Sequence, residues 1–506
     1  MSVSALEIGD VLEPRGVLEL PLFVGGEWTS AADGATFDSY EPATGRVWAR
    51  VAEAGPEDVA RAVGAARAAF EGPWARVKAP DRARLLLRMA AVIDENREQL
   101  ALVESRDNGK ALRETKAELE TIVRYFEFFA GAAQSWNGET MPETGPYLTY
   151  TRREPIGVVG AIVPWNSPLN MLAWKVCPAL AAGNTVVLKP AEDTPVSALV
   201  LMAMFEALEL PAGTLSVVPG FGARAGEALV TSPEVDKIAF TGSTETGKRI
   251  GAKAIETMKL VTFELGGKSP NVVFPDADLE QAVSRSAYGI FSAAGQSCMA
   301  ASRTLVHRDV HDEFLAAFAA KASAIRVGDP FDPRTQVGAT TSGRQLEKIR
   351  GYVEGATEAG AEVAAGGHSP QLEGAAAGGY FFEPTVIAAV DNSMQVAREE
   401  IFGPVTTVIP FADEEEAVRL ANDTRFGLAG AVWTADVKRA HRVAHRLRAG
   451  TVWINNYRIW NWLMPFGGYK QSGYGRENGL EAMHHYTQTK SVWVDLQEDP
   501  GDWFGD

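Results

Sequence analysis

Between residues 156 and 264 the sequence changes rhythm every ten to twenty-five residues, and this alternation constrains the fold more than any other feature. Short apolar runs at 158–163, 185–188, 215–218, 237–240 and 260–263 are separated by stretches with helical spacing at 169–182, 194–208, 224–230 and 245–254. Runs this short and this apolar lack the one-sided alternation of a solvent-facing strand. They predict a parallel sheet covered by helices on both faces, an α/β fold. In such a sheet ligands sit beyond the carboxyl ends of the strands, where the loops gather. A second α/β region follows residue 266. It has strand-like runs at 271–274, 303–307, 405–409, 430–433 and 451–454. Helical stretches fall at 278–294, 309–325, 343–359, 413–422 and 436–447.

A chain of 506 residues is too long for one ordinary core, so two or three domains are expected. The hydrophobic share of 46% and charged share of 22% are those of a soluble globular protein. A net charge of −17 argues against nucleic acid, which needs clustered Lys and Arg, and against an anionic membrane surface. Residues 1–20 read as an acidic tail without the basic-then-apolar order of a secretory signal. No apolar run is long enough for a membrane helix. Two cysteines, Cys177 and Cys298, cannot build a disulfide framework, and no Cys/His spacing suggests zinc. The expected compartment is the cytoplasm, and no metal is expected.

Outside the two α/β regions, residues 22–28 read as a hairpin turning at Gly25-Gly26. Helices are predicted at 56–71, 81–108 and 111–134. Residues 147–155 and 487–495 alternate apolar and polar positions, as half-exposed strands do; such strands can pair with another subunit. The run 465–475, rich in Gly and Pro, reads as a loop.

The stretches with chemical potential are few. Cys298 follows Gly295-Gln-Ser at the end of a helical run. A thiol attacks as thiolate, so a catalytic role needs a base or a positive group beside it; without one, a free cysteine is a small buried hydrophobe. Glu264 lies between apolar residues at a strand end, where partial desolvation raises a carboxylate toward the range of a general base. Asn166, after the first parallel strand, is an uncharged donor suited to an oxyanion, or simply a turn residue. Lys189 and Glu192, after the second strand, suit ribose hydroxyls or a surface charge pair. Phe240-Thr-Gly242-Ser243-Thr-Glu-Thr246-Gly247 is a strand, a turn and a helix start. It favours phosphate without matching the Gly-x-Gly-x-x-Gly pattern. A cysteine–histidine hydrolase is the competing reading, but His307 ends a strand that leads away from Cys298.

Taken in order, Trp165-Asn166, Lys189 with Glu192, Gly242-Ser-Thr-x-x-Gly247, Glu264-Leu265-Gly-Gly-Lys268, Gly295-Gln-Ser-Cys298, Glu400-Ile-Phe402-Gly-Pro404 and Pro465-Phe466-Gly-Gly468 closely resemble the aldehyde dehydrogenase superfamily. The resemblance runs from about residue 22 to 497 and is similar to broad-range bacterial members. It implies a variant Rossmann NAD-binding domain (21–138 and 156–266), a catalytic domain (267–470) and a small β oligomerisation arm (139–155 and 484–497). It implies an NAD-dependent enzyme, homodimeric or homotetrameric, that oxidises an aldehyde to the acid. The alternatives are a CoA-acylating relative and a non-catalytic binding or structural relative.

By the same resemblance Cys298 is the nucleophile, Asn166 an oxyanion donor and Glu264 the base, with Lys175 and Glu477 as a proton relay. Ile162, Pro164, Trp165, Lys189, Glu192, Gly222, Gly226, Phe240, Gly242, Ser243, Thr246, Leu265, Glu400 and Phe402 are expected to bind NAD. An acid at 192 repels a 2′-phosphate. Many relatives carry an aromatic residue where this chain has Ser167. The substrate pocket is expected to be walled by Met171, Trp174, Trp460, Trp462 and Phe466, which suits apolar, aryl or, through cation–π contact, quaternary ammonium aldehydes.

Overall fold

A computed structural model describes residues 11, 16–142, 145–499 and 501–505. The five apolar runs form the centre of an eight-stranded sheet. Its order is Gly473–Tyr474, Leu260–Glu264, Lys237–Thr241, Val158–Ile162, Thr185–Lys189, Leu215–Val217, Leu22–Val24 and Glu27–Thr29. The central five are parallel, and the hairpin and the two-residue strand close the edges antiparallel. The helix Pro168–Ala182 is buried along its whole length, as its lack of a polar stripe requires. Chain order reverses beside Val158–Ile162: the next strand in sequence lies on one side and Lys237–Thr241 on the other. That reversal opens a crevice at the carboxyl ends of these two strands, the place where such sheets take ligands.

The second sheet has seven strands in the order Glu362–Ala365, Thr385–Ala388, Val405–Phe411, Arg303–His307, Pro270–Val273, Ala429–Trp433 and Thr451–Ile454. All pairs are parallel except the first. Arg303, fully buried, ties this sheet to its neighbours. Its Nε donates to Lys268 O at 3.0 Å, Nη1 to Asn392 Oδ1 and Leu420 O at 2.9 Å, and Nη2 to Ala421 O at 2.9 Å. Burial pulls its pKa down to about 10. Arg303→Met is expected to strand these acceptors and to lower stability by about 3–5 kcal/mol, measured by denaturant unfolding. An unchanged midpoint would show that the network contributes little.

The strands Tyr147–Pro155 and Thr487–Asp495 pair antiparallel over their full length in a two-stranded ribbon that stands out from the body, with Trp493 65% exposed. Several boundaries differ from the sequence reading. The predicted helix 81–108 is two helices, Ala79–Glu95 and Arg97–Asn108, because Asn96 leaves helical geometry between them. A three-stranded sheet of Leu18–Leu20, Arg46–Ala52 and Thr36–Glu41 was not anticipated. Leu18–Leu20 belongs to the stretch expected to be tail; residues 1–10 and 12–15 of that stretch lie outside the described residues. The strand 215–218 is followed by a π-turn at Gly222–Gly226 before the helix Glu227–Thr231. The 465–475 loop ends in a short strand, Gly473–Tyr474, that pairs with Leu260–Glu264. No helix among the described residues is long and apolar enough to cross a membrane.

Candidate active site

The predicted helix 278–294 stops at Phe291. Ala293, Ala294 and Gly295 then all take positive φ, near 52°, 52° and 69°. Two alanines in the left-handed region cost about 1–2 kcal/mol each, strain of the kind found at functional sites. The turn is held by Glu114, whose Oε1 accepts the Ala293 N–H at 2.7 Å. Gly295 has no substitute, since a Cβ there would come within 2.0 Å of Gly403 O. The chain is thereby reversed so that Cys298 faces the crevice of the first sheet.

The Gly-Gly pair after Glu264 has a related explanation. A Cβ on Gly266 would meet Glu400 Oε2 at 2.5 Å, and one on Gly267 would meet Cys298 O at 2.2 Å. Only bare backbone lets the end of the Leu260–Glu264 strand pass between the cysteine loop and Glu400. Glu400 is fixed there by the Gly267 N–H, which donates to its Oε1 at 2.8 Å. Phe402, in a left-handed conformation with φ 61°, is braced by Gln345, whose Nε2 donates to the carbonyls of Phe402 (2.7 Å) and Ile401 (3.0 Å).

These loops enclose a cavity of about 220 Å³ lined by Cys298, Glu264, Asn166, Leu265, Glu400 and Phe402, among others. Met171, Trp174, Trp460 and Phe466 form its wall, and the Trp174 ring packs edge-on against Phe466 (5.3 Å) and Trp460 (5.9 Å). Trp462 does not line it. That indole faces a separate groove between the helices Ala79–Glu95 and Leu112–Ser135, two residues beyond Trp460 in an irregular loop. Asn166 Nδ2 donates one hydrogen to Gln296 O at 2.9 Å, and no second acceptor is found for it among the described residues. Gln296 is in turn pinned, its Oε1 accepting the Thr341 N–H at 2.9 Å.

The electrostatics are unusual. Burial, then the charges of Glu400 and Glu264, push the Cys298 thiol up to about 12, so the resting thiol is protonated. Burial, then Glu477, raises the Glu264 carboxyl well above the ordinary range, and its Oε2 is a buried acceptor without a partner. The charge of Glu264 thus opposes ionisation of the thiol. Behind Glu264 the buried pair Lys175–Glu477 makes a 2.8 Å hydrogen bond, and the second Glu477 oxygen is unpartnered. Nearby Lys237, which the sequence reading passed over, is held by burial to a pKa of about 7. It opens a strand as an ordinary-looking lysine, and nothing in the sequence marks it as buried.

A second cavity of about 440 Å³ runs along the carboxyl ends of the first sheet and shares Pro164, Trp165, Thr241, Gly242 and Ser243 with the first. Ile162, Lys189, Glu192, Gly222, Gly226, Phe240 and Thr246 line it. Lys189 Nζ donates to Glu192 Oε2 at 3.4 Å. Ser243 caps the helix Thr244–Ala254, accepting the Thr246 N–H at 3.2 Å. Where the two cavities meet, the Trp165 and Phe402 rings pack edge to face at 5.1 Å. The buried Thr241 hydroxyl lines both cavities without a partner. A helix N-terminus, an unpaired hydroxyl and a Lys/Glu pair along one groove fit the pyrophosphate and ribose of a dinucleotide.

The sequence profile of the aldehyde dehydrogenase family matches residues 28–492. The chain belongs to the aldehyde dehydrogenase family. It is 46% identical over 474 residues to an aldehyde dehydrogenase of Emericella nidulans, covering 94% of each chain. It is 44% identical over 481 residues to the mitochondrial aldehyde dehydrogenase of Homo sapiens, covering 94% of this chain and 92% of that one. Among solved structures, the NAD+ complex of an aldehyde dehydrogenase from Bacillus cereus is similar at 46% identity and a TM-score of 0.93, covering 95% of this chain and 97% of that one. The family's reaction is the oxidation of aldehydes to acids.

Proposed function

We propose that this aldehyde dehydrogenase oxidises its substrate with NAD through covalent intermediates on Cys298. The observation that carries this reading is the sharing of one small cavity by Cys298, Glu264 and Asn166. The Cys298 sulfur, on losing its proton to the unpartnered Glu264 oxygen or to water, attacks the aldehyde carbon. The new oxyanion meets the free Asn166 N–H and the Cys298 backbone N–H, both neutral donors that stabilise it without quenching it. The bound nicotinamide supplies the hydride acceptor. Loss of hydride from the tetrahedral carbon leaves a thioester on Cys298. Glu264, once it has given up any proton taken from the thiol, takes a proton from water; the hydroxide attacks the thioester, the acid departs and the thiolate is restored. Glu477 and Lys175 carry the proton held by Glu264 away from the cavity.

NAD would be held by Lys189 and Glu192 at the adenine ribose, by Ser243 and the adjoining helix start at the pyrophosphate, and by Glu400 at the nicotinamide ribose. A carboxylate at the adenine ribose would repel a 2′-phosphate. Glu192→Ser is therefore expected to raise the ratio of kcat/KM with NADP to that with NAD by about tenfold or more. An unchanged ratio would place the discrimination elsewhere. The ribbon of Tyr147–Pro155 and Thr487–Asp495, with its open edges and exposed Trp493, serves as the arm of a homodimer or homotetramer. The compartment is the cytoplasm. NADH absorbance over a panel of aldehydes tests the whole reading: acid and NADH should form in equal amounts without CoA. Failure with every aldehyde, or a requirement for CoA, would overturn it.

A further inference from the structure

The cavity at Cys298 opens outward into a larger one of about 630 Å³, and Glu118, Arg458 and Trp460 line both. The charges at this junction are not balanced. Glu118 is ion-paired with the buried Lys110, and Ser167 bridges the two, its Oγ accepting from Lys110 Nζ at 3.3 Å and donating to Glu118 Oε1 at 3.3 Å. Glu114, in the same cavity, gives one oxygen to the Ala293 N–H; its other oxygen has no hydrogen-bond partner among the described residues, and its charge is felt by Arg458 without a close ion pair. Arg458, by contrast, forms no ion pair among the described residues. Its Nη1 donates to Ser292 O at 3.1 Å and to the Ser292 hydroxyl, and its guanidinium lies over the Tyr288 ring at 5.9 Å, while Nε and Nη2 have no hydrogen-bond partner among the described residues. Arg113 and Lys321, farther out in the same cavity, also lack a carboxylate; Arg113 donates to Gln336 O at 2.9 Å. A chain with a net charge of −17 thus presents unpaired cations around the way to its nucleophile.

The inner wall carries a second polar feature. Asn170, 4% exposed, lines the Cys298 cavity with an Oδ1 that has no partner. Buried polar groups are normally satisfied, so its partner is expected from outside the chain. Together with Ser167 it makes one side of the pocket hydrogen-bonding rather than apolar.

We propose that Arg458 binds an anionic group at the far end of the substrate, so that the preferred substrates are aldehydes bearing a terminal carboxylate. This rests on the assignment of Cys298 and its cavity as the oxidising site. An arginine fork with free N–H groups matches a carboxylate, and a partly desolvated site strengthens that pairing. A cationic aldehyde would meet Arg458 unfavourably, and Glu118 is held by Lys110, which it shares with the buried Glu104. The aromatic wall of Trp174 and Trp460 then packs the methylene chain rather than an ammonium group. The cations of the outer cavity steer the anion inward.

The test compares kcat/KM, with NAD, for butanal and pentanal against their ω-carboxy and ω-amino analogues. The carboxy aldehyde is expected to exceed the alkanal of equal chain length by about tenfold or more, as a charge-assisted hydrogen bond allows. The advantage should shrink as salt is raised, and the amino aldehyde should be the poorest of the three. In Arg458→Gln the carboxy-to-alkyl ratio should fall to within about threefold of unity, with Arg458→Lys between the two. The ratio cancels any general loss of activity, and the wild-type ratio and its salt dependence stand even if a variant does not fold. A wild-type ratio near one, a preference for the amino aldehyde, or a ratio unmoved by Arg458→Gln would each overturn the proposal. Alkanal oxidation without a carboxylate preference defeats this inference alone; no NADH from any aldehyde defeats the reading of the site as well.

Discussion

Cys298→Ala is expected to lower aldehyde-dependent NADH formation by about 10⁴-fold or more, the scale at which a covalent nucleophile is lost. The only other cysteine, Cys177, cannot take over. It is fully buried in the helix Pro168–Ala182, and burial raises its thiol well above the ordinary value. NAD should still bind, because Cys298 is not among the residues that line the dinucleotide groove. Fluorescence titration with NAD beside a stopped-flow assay separates the two functions. Substantial turnover in the variant would show that the thiol is not the group attacked by substrate.

Glu264→Gln is expected to divide the reaction at the thioester. The amide keeps the shape and the contact with Gly467, whose Cβ, if present, would lie 2.8 Å from Glu264 Oε1, but it cannot accept a proton from water. Steady-state turnover should fall by about 10²–10⁴-fold, the usual weight of a general base. A rapid first turnover of NADH should remain, and acyl-enzyme should accumulate. The pH dependence has a definite sign. Burial and the Glu477 charge raise the Glu264 pKa, so the ionised base is scarce at low pH and grows as pH rises through that value. Thioester hydrolysis, followed in single turnover, should climb with pH in the wild type and lose that climb in the variant. Loss of the first turnover with hydrolysis intact would assign the base elsewhere.

Both residues could be singled out from the sequence, because each stands in a local pattern. An acid between apolar residues before Gly-Gly, and a lone cysteine after Gly-Gln-Ser, are visible without coordinates. The alternation of strands and helices likewise indicated that the centre of the first sheet is parallel. What the sequence concealed depends on contacts across long separations. The end of the helix at Phe291 is set by a left-handed turn that Glu114 stabilises from 179 residues away. The sheet of Leu18–Leu20, Thr36–Glu41 and Arg46–Ala52 is made of short strands whose partners lie outside the regular alternation. Trp462 was grouped with Trp460 on proximity in sequence, but an irregular loop imposes no shared face on residues two apart. Nothing in the sequence marks Arg458, since an arginine is ordinarily paired at the surface. That it forms no ion pair among the described residues depends on Glu118 being held by Lys110 from another element.

The contact of Gly295 with the carbonyl of Gly403 has a mechanical consequence. The turn that aims the nucleophile rests on the backbone three residues beyond Glu400, and Glu400 in turn bears on Gly266 and Gly267, the second of which lies against the carbonyl of Cys298. The three segments therefore form a closed ring in which two links are backbone against backbone and the third is the Glu400 carboxylate. Displacing any one of them shifts the other two, so sulfur and ribose clamp keep their spacing as a unit rather than as independent parts.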